Sequence, residues 1–116
     1  MGTYKASSVI TLLEYQAYCS AKVDVVECFP FNREVLVYKV KGKIFTLAHI
    51  FPFTQLNVKC SPEKAVALRE QYIGVIPGFH MNKRHWNTLL LDRDLSAEEV
   101  YAWIDHSYNL VANKRS

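Results

Sequence analysis

The sequence predicts an α+β fold, an antiparallel β-sheet with helices packed on one face, and three observations predict it. Helix-start signatures stand near the N-terminus, in the middle and near the C-terminus, each ahead of a run without helix breakers. Between them lie short β-branched and aromatic stretches bounded by Gly, Pro and Asn. Their order is α-β-β-β-α-β-β-α, and the first two strands are joined by a turn too tight for a crossover, which implies antiparallel pairing. With 116 residues, half of them apolar, the chain has the size of one domain and builds its core without disulfide or metal staples. We expect one domain over 1–116 with its core at about 10–111.

Residues 1–8 are short and mixed. Thr11-Leu-Leu-Glu14 fits a capping box, in which the Thr hydroxyl takes the third amide and the Glu reaches back. Leu12, Leu13, Tyr15, Gln16 and Cys19 follow unbroken, giving a helix over about 9–21. Phe29-Pro30-Phe31-Asn32 is a turn with two bulky anchors. Val35 to Val40 is a strand, Lys41-Gly42-Lys43 a tight turn and Ile44 to His49 the returning strand, so lysines stand at the tip of a hairpin. Pro52 breaks the chain. Gln55 to Cys60 alternates Leu56, Val58 and Cys60 against Gln55, Asn57 and Lys59, the period of a half-buried strand. Ser61 as N-cap, Pro62 at the first helical position and Glu63 in the first turn open a second helix. Ala65, Leu68, Arg69 and Tyr72 continue it towards a stop at Gly74. Val75 to Pro77 is briefly extended, 78–84 is an irregular loop, and His85 to Leu91 is another strand. Ser96-Ala-Glu-Glu99 is a second capping box. Val100, Tyr101, Trp103, Ile104, Ser107, Tyr108 and Val111 then repeat at three and four over about 97–112. Asn113 to Ser116 is polar.

The net charge is only +3, but it is unevenly spread. Val35 to Cys60 carries Lys39, Lys41, Lys43 and Lys59 and no acid; Pro77 to Leu91 carries Lys83 and Arg84 and no acid. The acids gather at Glu63 and Glu70 and over Asp92 to Asp105. Segregation of this kind gives a small domain a polar field, though lysines also serve to blunt exposed strands. Three cysteines, Cys19, Cys28 and Cys60, form no CxxC pair and are expected to be reduced and mostly buried. No leader pattern and no apolar run of about 18 residues occurs, so a cytoplasmic protein without a membrane span is expected. Ala6 stands where a myristoylation signal after Met1-Gly2 needs Ser or Thr.

Phe29-Pro-Phe31, Gly42-Lys-Ile-Phe45, Lys59-Cys-Ser-Pro62, Leu68-Arg-Glu-Gln-Tyr72, Val75-Ile-Pro-Gly78, His80-Met-Asn-Lys83, His85-Trp-Asn87 and Ser107-Tyr108 stand in a set order. That ordered set resembles the MmcQ/YjbR-like family over about residues 10–111. The resemblance implies a curved antiparallel sheet carried by helices, similar to the CyaY/frataxin fold, and DNA binding of a "double-wing" type. It does not import iron binding: Glu14 is the one acid in the first helix, so the acidic ridge of frataxins is missing, and function is argued from the site.

The residues themselves point to a nucleic-acid surface at two places. At the hairpin tip, Lys41 and Lys43 can contact a phosphate backbone, and Lys59 extends that surface if its strand is a neighbour. In the segment 80–87, Lys83 and Arg84 can neutralise phosphates, Asn82 and Asn87 can bond phosphate or base edges, and His80, His85 or Trp86 can lie against a base. Trp86 is alternatively a core anchor. No catalytic site is visible. Asp105, His106 and Ser107 are adjacent on one helix and point about 100° apart, too far for a relay. His80 and His85 lack further ligands at metal spacing, and no glycine-rich phosphate loop occurs, so neither metal nor cofactor is expected. DNA is the expected partner, for a monomer or weak dimer. The other reading is an adaptor for a protein or small anionic ligand, with Phe79, Met81 and Trp86 lining a cleft and Lys83 or Arg84 orienting the anion.

Overall fold

The computed structural model describes residues 8–113; of the mixed stretch 1–8 and the polar tail Asn113–Ser116, positions 1–7 and 114–116 lie outside the described residues. Three helices and six strands follow one another as α1 (Leu12–Ser20), β1 (Val25–Cys28), β2 (Val35–Val40), β3 (Lys43–His49), β4 (Gln55–Lys59), α2 (Pro62–Gln71), β5 (Val75–Pro77), β6 (Trp86–Leu90) and α3 (Ala97–Ala112). The strands form one antiparallel sheet in the order β1-β2-β3-β4-β6-β5. The α+β class is therefore observed.

Local chemistry sets the boundaries. Both capping boxes are complete: Thr11 and Glu14 start α1, and Ser96 and Glu99 start α3. Between β2 and β3 the chain turns on Lys41 (φ 53°) and Gly42 (φ 77°), two consecutive left-handed residues that match the right-handed strand twist. Two expectations need correction. Val25–Cys28, unassigned in the sequence reading, is an edge strand paired with β2. The second helix ends at Gln71 with Tyr72 as its cap, so Gly74 does not stop it. Gly74 instead receives Leu90 N–H on its carbonyl at 2.7 Å and gives its own amide to Asp94.

Pleating separates two faces. Leu36, Tyr38, Phe45, Leu56, Val58 and Leu89 point to one side and meet Tyr15, Cys19, Ala65, Leu68, Val100 and Ile104 of the three helices in the main core. No helix covers the other side, where Val37, Leu47 and Trp86 make a small second cluster under Met81. Among the described residues no helix is long and apolar enough to cross a membrane.

The register slips by one residue in β3, where Tyr38 faces Thr46 and Lys39 faces Ile44, leaving Phe45 as a bulge. Ser107 of α3 fills the gap this opens beside β4. Its hydroxyl donates to Phe45 O at 2.5 Å and accepts Lys59 N–H at 2.8 Å, replacing a ladder bond between β3 and β4. Tyr108 stands edge-on to the Phe45 ring and donates its hydroxyl to Val23 O. The sheet has unlike edges. β1 is short and presents Val26, 59% exposed, with neither lysine nor proline in the strand. β5 has only three residues, ends on Pro77, and returns the Val75 amide to Tyr72 O.

Candidate functional site

The register gathers the distant basic segments at one end of the sheet. β2 ends and β3 begins there, at the Lys41-Gly42 turn; β4 ends at Lys59 beside Trp86, where β6 begins. Lys41, Lys43, Asn82, Lys83 and Arg84 are exposed there, and Lys39, Lys59 and His85 are half-buried. Asp24, just before β1, is an acid at the same end, because Val25 pairs with Val40. Many other carboxylates are engaged on the helical side. Glu14 and Glu99 serve the capping boxes, Glu27 accepts Tyr38 Oη at 2.6 Å, and Asp105 accepts Tyr18 Oη and pairs with Lys22. Across the six strands, the positions facing away from the helices include no Asp or Glu. Charge is thus separated through the thickness of the domain.

Two expected contact residues are not at the surface. Trp86 is 8% exposed, packed on Val37 and Leu47 and overlain by Met81. Asn87 is fully buried on the helical face, where its amide donates to Ala65 O at 3.1 Å. The physical reason is what packs on each face of β6: α2 covers Asn87 on the helical side, and Met81 of the loop before β6 covers Trp86 on the other. Both side chains are structural.

The 78–85 loop folds back over the open face and is pinned there. Gly78 N–H donates to Trp86 O, and a Cβ at Gly78 would stand 2.7 Å from that of Trp86, so only glycine lets the loop pass. Phe79 N–H donates to Thr88 Oγ1 at 2.8 Å, Thr88 donates to Asn57 Oδ1, and Asn57 Nδ2 donates to Phe79 O. Lys83 Nζ reaches Gly78 O, and Arg69 holds Lys83 O. His80 takes a φ of 60°, an uncommon left-handed conformation for a residue with a Cβ, which sets its ring against Phe79.

This loop makes one wall of a groove of about 230 Å³ on the open face. Phe79, His80 and Met81 stand on one side, Phe31 and Val35 on another, Leu47 lies in the floor, and His49, Gln55 and Asn57 bring polar atoms. Phe31 is 64% and Phe79 52% exposed. Of the residues expected to line a cleft, Phe79 and Met81 do so. Trp86 does not, and Lys83 and Arg84 are not in the lining, so they do not orient an anion there. Sequence reasoning missed Phe31, His49 and Gln55: the last two flank the β3–β4 connection, and only the fold brings Phe31, from before β2, to the same groove.

Of the three thiols, Cys28 lies partly exposed beside the open-face cluster, and Cys19 and Cys60 are buried. Burial pushes the Cys19 thiol up to about 12, against the partial relief of Lys22, and the Cys60 thiol up to about 11, against that of Arg69 and Lys64. Both are poor thiolates near neutrality.

The YjbR family model matches residues 20–110. Escherichia coli (strain K12) YjbR is 31% identical over 105 residues, which span 90% of this chain and 89% of that protein. Escherichia coli O157:H7 YbdF is 36% identical over 89 residues, 74% of this chain and 71% of that one. The crystal structure of Deinococcus radiodurans protein DR2400 superposes with a TM-score of 0.82 at 33% identity, covering 94% of this chain and 83% of the other. A family model over most of the chain and relatives matched along most of their length show that the chain belongs to the YjbR family.

Proposed function

We propose that this chain is a non-catalytic DNA-binding module that contacts the phosphate backbone through the basic end of its sheet. The observation that carries the reading is the convergence of Lys41, Lys43, Lys59 and the 83–85 segment at one end of one sheet, from three separate stretches of chain. The hairpin tip and the two ends of the 78–85 loop lie there, and among the described residues the strand positions of the open face carry no carboxylate to repel phosphate.

Phosphate contacts release counterions, so affinity must fall with salt. Four to six basic contacts give a log–log slope of roughly −3 to −5. Fluorescence anisotropy of labelled duplex and single-stranded DNA at low and near-physiological salt measures it. Lys41→Ala/Lys43→Ala and Lys83→Ala/Arg84→Ala should each flatten the slope by about 2 and weaken binding. Binding that ignores salt, or that both double variants retain in full, overturns the reading.

The groove is the one observation favouring a ligand of another kind. An adaptor for a small anion loses support there, because the lining holds no Lys or Arg.

A further inference from the structure

We infer that the groove on the open sheet face takes one unpaired nucleobase, so that the chain prefers single strands to duplex. The inference rests on the nucleic-acid reading and gives it a second, chemically different contact.

The lining is neutral. It contains no carboxylate, lysine or arginine; its polar groups are the amides of Gln55 and Asn57 and the imidazoles of His49 and His80. Asn57 is spent on Phe79 and Thr88, whereas the side chains of Gln55 and His49 make no hydrogen bond among the described residues. Amides and imidazoles offer donor and acceptor side by side, which suits the edge of a heterocycle and not a bare charge. The walls are apolar and aromatic. Two hydrogen bonds hold the Phe79 backbone in place while its ring stays open to solvent, and Phe31 across the groove is more exposed still. A flat ring of about ten heavy atoms fits such a volume and stacks on such walls whatever its identity.

Charge complementarity selects the occupant. Gln55 in the groove and Lys59 at the basic end are the two ends of β4, four residues or about 13 Å apart at strand rise. A neutral stacking site leading to a cationic end repeats the plan of a nucleotide chain, with neutral rings on an anionic backbone. A duplex keeps its bases stacked and cannot supply the ring without unpairing.

The test uses four probes on the whole chain by anisotropy and NMR: a dA oligonucleotide, the same strand with abasic positions, the duplex, and free adenosine. Wild type should bind the dA strand about tenfold more tightly than the abasic strand or the duplex, one stacked base's worth. Phe79→Ala and Phe31→Ala should each remove that advantage and leave the salt slope unchanged. Both rings are exposed, and melting curves verify that each variant folds. Equal binding of dA and abasic strands, or full retention by both variants, overturns the groove as a base site and leaves the phosphate reading intact. No binding of any strand or duplex overturns both. Adenosine shifting the groove resonances with no preference between strands overturns a base of a strand as the occupant in favour of a free small molecule.

Discussion

Ser107 shows how much one side chain can hold. Its hydroxyl satisfies a donor on β4 and an acceptor on β3 at the point where the bulge at Phe45 parts them. Ser107→Ala leaves both backbone groups without a partner in a fully buried place, so we expect a loss of about 1–3 kcal/mol. Urea denaturation measures it, and a loss within a few tenths of zero contradicts the bridge. The sequence made Ser107 visible as part of an ordered motif and as a small residue on the sheet-facing side of a helix, but not as a bridge, since a bulge leaves no mark in a single sequence. Asn87 was misplaced, and Trp86 was left between contact and core anchor, for a related reason. A strand read over 85–91 does not say what covers either face, and Met81 on one side and α2 on the other bury them.

At the scale of elements, the parts with strong local chemistry were legible: both capping boxes, the Lys41-Gly42 turn and the alternation along β4. β1 was not, because four residues without a period or a turn signal acquire strand geometry only from β2 beside them. The 78–85 loop was legible as a loop but not as a wall. Its placement depends on Thr88, a buried polar residue whose hydroxyl receives the Phe79 amide and passes its own proton to Asn57. Thr88→Val keeps the shape and removes both bonds. Amide exchange at Phe79 should then quicken by about tenfold or more, at a stability cost of about 1–2 kcal/mol. Unchanged exchange there would mean that packing of Met81 alone holds the loop.

At the scale of the molecule, the sequence displayed its charge segregation plainly, and the convergence of the basic segments came only with the strand order. Stability should follow pH for a different set of groups. Burial, and then Lys64, hold the His106 imidazole below its ordinary value. The unfolded chain takes that proton near pH 6.5 and the folded chain resists it, so stability present above about 6.5 declines as pH falls below it. Asp94 and Glu99 lie below the ordinary carboxylate range. At Asp94 the amides of Ile73 and Gly74 outweigh partial burial; at Glu99 the Ser96 amide and the Tyr72 hydroxyl lower it. Their contribution, present above about pH 4, fades as they protonate. Denaturation midpoints from about pH 2 to 8 should therefore show, as pH falls, a first decline that His106→Gln flattens and a second, below about pH 4, that it leaves alone. A wild-type profile level between pH 5 and 7 contradicts the assignment to His106. The unlike edges of the sheet carry a consequence for self-assembly. A sheet with two open margins can extend without limit, copy upon copy. Here the β5 margin is curtailed by its length and by Pro77, and among the described residues only the β1 margin offers a strand to a neighbour. Two copies meeting β1 to β1 about a twofold axis use up both open margins at once, so pairing by this route stops at two.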